Sequence, residues 1–392
     1  MRNDEPLEGW LEFSDIEHSP EEAAEQQARL RLGLDRLAAW LDRPPQGKRR
    51  SMADLSIPAW SATIGFAPQD VSRAQELYRR VYATGGPGNS YVQENLLELL
   101  AGAEDVRSIL FWVEMVDLVR PRDHFAARRR ILAMAALARL AALQDQPAAY
   151  AALLTLAAHA RPEVRAEAIY YLGRAYLFPE RPLPPDVADE LTGIAAHDTA
   201  FLPRFQARAV LRDAGLPLPM DNPGGVYELK VTLSWARGFH CVIAARSEDS
   251  LEELHWAIQD AFGWDADHLY SFAMNGQLYD ERYAFASPDE EERPALTSEA
   301  IIGELGLTLN HSFLYYFDYG DSHEFEVKVV GIRTQSEPGQ YPRVIARSGT
   351  PPDQYPDLEE DYEESWEEDD DGDLGEGLEE DLGEGLEDDE EE

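Results

Sequence analysis

The run Leu216-Pro217-Leu218-Pro219-Met220-Asp221-Asn222-Pro223-Gly224-Gly225 constrains this chain more than any other stretch. Three prolines and two glycines so close together deny the backbone both its donors and its regularity, so neither a helix nor a central strand passes through. Before it, apolar residues recur with the helical period of about 3.6; after it, they alternate with a period of about 2. A chain that changes period at a breaker folds as separate units. The expected organisation is an α-helical domain over 1–216, a linker over 217–225, an α+β domain over 226–348, and a disordered acidic tail over 349–392.

In the first unit, Ser19-Pro20-Glu21-Glu22 predicts a capped helix start, with Glu22 three residues after the capping serine. Leu30, Leu34, Leu37 and Leu41 continue one helical face, and Arg43-Pro44-Pro45-Gln46-Gly47 ends it. A second helix is expected over 69–82, closed by Gly85-Gly86-Pro87-Gly88. That glycine loop lacks the Lys-Ser/Thr of a phosphate loop and follows no strand, so it reads as a helix linker. From Tyr91 to Ala214 the pattern is helix after helix. Arg165, Ala168 and Leu172 recur 39 residues later as Arg204, Ala207 and Leu211, each set following a proline-containing turn. A unit near 40 residues with small residues at helix contacts resembles HEAT or armadillo-type repeats, which predicts a solenoid-like array.

In the second unit, strands are expected over 226–234, 239–245, 269–274, 313–317 and 324–332, with one helix over 250–262 and an edge strand near 341–346. Gly320-Asp321 predicts a hairpin turn with glycine at positive φ. Residues 276–299 read as a charged loop, and a loop of that length is usually functional.

Charge is placed unevenly. Of the chain's 76 acidic residues, 23 fall between Asp357 and Glu392 with no Lys or Arg among them, whereas residues 101–215 hold 14 of each sign. Low hydrophobicity and self-repulsion predict that the tail stays unfolded. The single cysteine, Cys241, excludes a disulfide framework and a multi-cysteine zinc site. The most apolar run, 131–143, is interrupted by Arg139 and is shorter than the roughly 20 residues of a membrane span. A soluble, cytoplasmic chain without a membrane segment is the expectation.

One stretch is the most identifying. Leu254, His255, Ile258, Gln259, Ala261, Phe262, Gly263, Trp264, His268 and Leu269 form a helix that stops at a glycine and runs into a strand, and Tyr315-Tyr316-Phe317-Asp318-Tyr319-Gly320-Asp321-Ser322-His323 forms a hairpin. Together they resemble the plasmid pRiA4b ORF-3-like family over about 226–358. The resemblance implies a compact mixed-sheet domain, often associated with plasmids or mobile elements. His323 stands where the family's hairpin motif carries tryptophan, and His240-Cys241 replaces a frequent Trp-Arg.

The candidate chemistry is sparse. His268, Asp318, Asp321 and His323 are the catalytic candidates, and His240, His255 and His311 complete the histidines of the second unit. None shows a compact metal-ligand spacing, so packing and turn roles are preferred, and neither a metal nor a cofactor is called. Arg128, Arg129 and Arg130, with Lys48-Arg49-Arg50, are the basic candidates. They point in different directions on a helix and sit in a chain of net charge −42, which argues against nucleic acid as partner. Trp256, Trp264, Tyr270 and Phe272 are candidates for an aromatic contact surface, with core packing the preferred reading for the motif positions Trp264 and Phe272. The reading is a non-enzymatic interaction protein with a basic protein partner. The alternative is a resolvase- or transposase-like enzyme or accessory factor acting through the second unit, and it requires His268, Asp318, Asp321 and His323 to meet.

Overall fold

The computed structural model describes residues 19–43, 67–84, 89–236, 238–290 and 295–355. The acidic tail beyond 355, Lys48-Arg49-Arg50 and Gly85-Gly86-Pro87-Gly88 lie outside the described residues. Within these limits the chain up to Pro351 forms one compact unit.

Nine of the ten described α-helices precede the proline-rich run: α1 (Pro20–Asp42), α2 (Pro68–Thr84), α3 (Asn89–Gly102), α4 (Ile109–Asp117), α5 (Ala126–Gln144), α6 (Pro147–Leu156), α7 (Pro162–Leu177), α8 (Pro185–His197) and α9 (Phe201–Asp213). The capping box at α1 forms: Glu22 N donates to Ser19 Oγ at 3.3 Å while Ser19 N donates to Glu22 Oε2 at 2.9 Å. Proline opens α1, α6, α7 and α8, where its missing N–H costs no helical hydrogen bond. Helix α5 is buried almost continuously from Leu132 to Ala142, so it lies inside the helical half rather than at its surface. The repeated positions fall on α7 and α9, where Ala168, Leu172, Ala207 and Leu211 are all fully buried. Here the helices approach closely, because a Cβ on Gly173 would sit 2.5 Å from Val210 Cγ2.

After the breaker come β1 (Val226–Leu233), β2 (His240–Arg246), α10 (Leu251–Phe262), β3 (Tyr270–Ala273), β4 (Ala284–Ala286), β5 (Ser312–Phe317), β6 (His323–Arg333) and β7 (Arg343–Ser348). They form one seven-stranded sheet in the order β4-β3-β5-β6-β1-β2-β7. Every strand pair is antiparallel, which corrects the expected mixed sheet. The physical reason lies in the connections: α10 carries the chain away from β2 to the far side of the sheet, so no crossover returns beside its own strand. The predicted edge strand is β7, paired with β2. The charged loop contains structure that its composition conceals: Ala284-Phe285-Ala286 is short and was masked by its charged flanks, yet it pairs with β3.

Helix α10 is fixed at both ends. Ser250 and Glu253 form a capping box, and Gly263 ends the helix at φ 72°. Its apolar residues Leu251, Leu254, Ile258 and Phe262 join the core made by alternate residues of the sheet, including Leu229, Val231, Ile243, Phe313, Phe325 and Val327.

The last helix before the breaker belongs to both halves. Ala207, Val210 and Leu211 of α9 lie in the helical core, whereas Phe201 and Phe205 lie in the sheet core. Phe201 stacks on His311 at 3.7 Å between ring centres and Phe205 on Tyr283 at 5.3 Å. Buried Arg208 donates to Gly303 O at 3.2 Å and pairs with Asp221 at 2.8 Å. No described helix is long and apolar enough to cross a membrane.

Candidate functional site

Arg128, Arg129 and Arg130 are paired with acidic neighbours. Arg129 is fully buried, donating to Asp123 Oδ2 at 2.6 Å and Leu118 O at 2.5 Å, with its guanidinium 4.9 Å from the Tyr82 ring centre. Arg130 grips Glu167 with two bonds of 2.5 and 2.7 Å, and Arg128 reaches Glu94 at 2.8 Å. These three side chains therefore hold helices together instead of forming an open cationic patch. The pattern extends along the helical half: Arg31–Asp70, Arg80–Asp42, Arg79–Glu114, Arg139–Glu104, Arg181–Asp145 and Arg165–Asp198 join residues 33 to 39 positions apart, as do Arg128–Glu94 and Arg130–Glu167.

The aromatic candidates divide by burial. Trp264 is 8% exposed and Tyr270 4%, both inside the sheet core, whereas Trp256 is 53% exposed on α10. The contact surface expected from these rings narrows to Trp256. Tyr270 instead stacks flat on His255 at 3.6 Å, and Tyr315 Oη lies 2.7 Å from both His255 Nδ1 and Gln259 Nε2. Gln259 donates to the phenol oxygen, so the phenol proton points to the imidazole. Burial lowers the His255 pKa to about 3, which keeps the ring neutral. His311 is also held low by burial and donates to Met274 O at 2.8 Å. His240 sits on β2 between Thr232 and Ser348, apart from the other histidines. Buried Cys241 has its thiol pushed up to about 12 by burial, so it is a packing residue at neutral pH.

The remaining set converges. Asp318, Asp321 and His323 place one donor atom each within 4.8 Å of the others, and His268 Nε2 lies 3.6 Å from Asp318 Oδ2. The β5–β6 turn explains part of this. Asp318 Oδ1 accepts from the amides of Gly320 at 2.9 Å and Asp321 at 3.3 Å, and Ser322 N donates to Asp318 O at 2.7 Å. Positive φ falls on Asp318 at 55° and Ser322 at 58°, not on Gly320 as the dipeptide suggests. A Cβ on Gly320 would lie 3.2 Å from Asp318 Oδ1, a tight contact with the carboxylate that the turn amides hold. His323 is buried against Trp264, with ring centres 4.7 Å apart, and its Nδ1 accepts from Trp235 Nε1 at 3.4 Å. Burial holds its pKa low, partly opposed by Asp318 and Asp321.

Beside this turn lies a cavity of about 300 Å³ lined by Tyr279, Tyr316, Tyr319, Glu281, Glu290 and small residues that include Ala284 and Ala286. Tyr316 and Tyr319 stack at 5.4 Å, and the Tyr319 hydroxyl donates to Glu290 at 3.0 Å. Tyr279 is 81% exposed at φ 66°, a conformation uncommon for a bulky side chain and the kind of strain found at binding sites. The sequence signalled the loop but not the cavity, because its walls come from segments joined only by the pairing of β3 with β4 and β5.

The fold and these sites define a small antiparallel α+β domain carried by a helical array. Residues 225–376, which contain that domain, match the sequence model of the plasmid pRiA4b ORF-3-like protein family. Among solved structures, the chain is similar to a protein of unknown function, MM3350, from Methanosarcina mazei Go1, at 22% identity over 33% of this chain and 71% of that one, with a TM-score of 0.29. No curated protein matches the chain.

Proposed function

We infer that this chain is a non-enzymatic interaction protein in which a solenoid-like helical array carries a small α+β recognition domain for a basic protein partner. The observation that carries this reading is the cavity beside the β5–β6 turn. Three tyrosines and two glutamates around a small-residue floor suit a guanidinium or an ammonium group, which gains from both ring faces and carboxylates. The solenoid reading draws support from the recurring separation of 33 to 39 residues between ion-pair partners, the register expected when each unit of a repeat packs on the next. Consumption of the arginines in those pairs argues against a polyanionic partner for the helical half.

Titration of the full chain with a fluorescent Arg/Lys-rich peptide tests the reading, with the same peptide carrying citrulline and glutamine in place of the cations as control. Tyr279→Gly, which keeps the positive φ, combined with Glu281→Gln is expected to weaken binding about tenfold. Equal affinity of variant and wild type would assign all peptide binding to the acidic tail and remove the cavity from the account.

The enzymatic alternative, a mobile-element factor acting through the sheet domain, draws on the convergence of His268, Asp318, Asp321 and His323. Cleavage or strand exchange of plasmid DNA by the full chain with Mg²⁺ or Mn²⁺, lost in Asp321→Asn, is its readout. Inactivity under those conditions eliminates it.

A further inference from the structure

The β5–β6 turn holds a constellation separate from the tyrosine cavity and independent of the partner reading. Two imidazoles and two carboxylates meet there from segments about fifty residues apart, one following α10 and the other closing the hairpin. Turn chemistry accounts for Asp318 Oδ1, but Oδ2 of the same carboxylate faces His268 at 3.6 Å. Asp321 contributes its exposed carboxylate to the same few ångströms. The charges acting on His323 include those of Asp318, Asp321 and His268. Two carboxylates so close repel one another, and the aromatic rings of Trp264, Phe317 and Trp235 around His323 strengthen that repulsion by excluding water.

The geometry points to a divalent transition-metal site in which Asp318, Asp321 and His323 supply three donors, with His268 beside them at 3.6 Å from Asp318 and 3.4 Å from Asp267. A mixed set of imidazole nitrogen and carboxylate oxygen suits Zn²⁺, Co²⁺ or Ni²⁺, whereas Mg²⁺ and Ca²⁺ prefer oxygen alone. Trp235 governs which nitrogen is free. Its indole N–H donates to His323 Nδ1 at 3.4 Å, so the neutral ring carries its proton on Nε2. Ligation through Nε2 moves that proton to Nδ1 and gives up one long hydrogen bond. Trp235 is 46% exposed and free to shift, so loading the site changes the surroundings of a single indole.

Zn²⁺ titration of metal-stripped full-length protein, followed by calorimetry and tryptophan emission, tests the site. The tail carboxylates bind cations weakly in every variant and cancel in the comparison. One saturable equivalent is expected in the wild type, accompanied by a change in emission. His323→Trp, which removes the imidazole, and Asp321→Asn, which alters an exposed side chain, are each expected to weaken that equivalent by more than about tenfold, the least that loss of a supporting group costs a metal site. His268→Ala is expected to weaken it less, and Mg²⁺ is expected not to compete. The site is overturned if wild type and Asp321→Asn give the same isotherm, or if only weak, non-saturating uptake appears.

Discussion

In the helical half Arg129 meets Asp123 at 2.6 Å inside the core, while in the sheet half Asp318 and Asp321 gather beside His323, with His268 near Asp318. The first arrangement consumes charge to fix helices against one another. The second gathers two carboxylates and an imidazole at a turn, with Asp318 held by local amides. Ionisable residues are plentiful in both halves, and the two differ in whether long-range ion pairs or turn geometry set their positions. Burial and pairing, more than residue type, separate the structural arginines from the histidines and aspartates that offer a site.

The strongest way to break this comparison is to remove one partner of the buried pair. Arg129→Ala leaves buried Asp123 with only the longer contact to Arg120 at 4.0 Å and is expected to cost about 3–5 kcal/mol, read by urea unfolding of the full chain. A smaller loss would mean that Arg120 takes over the pairing. Next in size is the close helix contact: Gly173→Ala drives a Cβ into Val210 and is expected to destabilise by about 1–3 kcal/mol, with Val210→Ala restoring part of the loss. Solvent acidity probes the sheet half. His255 stays neutral in the folded state to about pH 3, but in the unfolded chain it takes up a proton below about 6.5. Its contribution is therefore complete above pH 6.5 and is lost as the pH falls, at about 1.4 kcal/mol per pH unit. Unfolding midpoints at pH 7 and pH 5 should show this slope, and His255→Asn should flatten it. The smallest effect sharpens the comparison from the other side: Arg128→Ala, on a half-exposed pair with Glu94, is expected to change stability by no more than about 1 kcal/mol. A larger loss would place Arg128 with the buried pairs.

Local grammar explains what could be read in advance. The capping boxes at Ser19 and Ser250, the stop at Gly263, the hairpin at residues 318–322 and the edge strand β7 each depend on residues within a few positions of one another. What escaped depends on partners far along the chain. Arg130 shows nothing in sequence of Glu167, which it meets only because α5 and α7 pack together. Tyr270 has the amphipathic character of a contact residue, and only the sheet behind it makes it core, whereas Trp264 is core as its motif position suggests. The approach of His268 to Asp318 was legible as a set of residue types but not as a distance, because it requires β3 to pair with β5. Strand β4 is too short for its alternation to register.

Helix α9 has a practical consequence for anyone cutting this chain into pieces. A fragment begun in the proline-rich run would leave behind Phe201 and Phe205, whose rings close the sheet core against His311, Tyr283 and Phe285. Such a fragment would present an apolar scar and tend to associate through it. A fragment begun at Asp198, upstream of those rings, carries its own plug. The boundary that the prolines mark in the covalent chain and the boundary at which the folded body would separate are therefore about one helix apart.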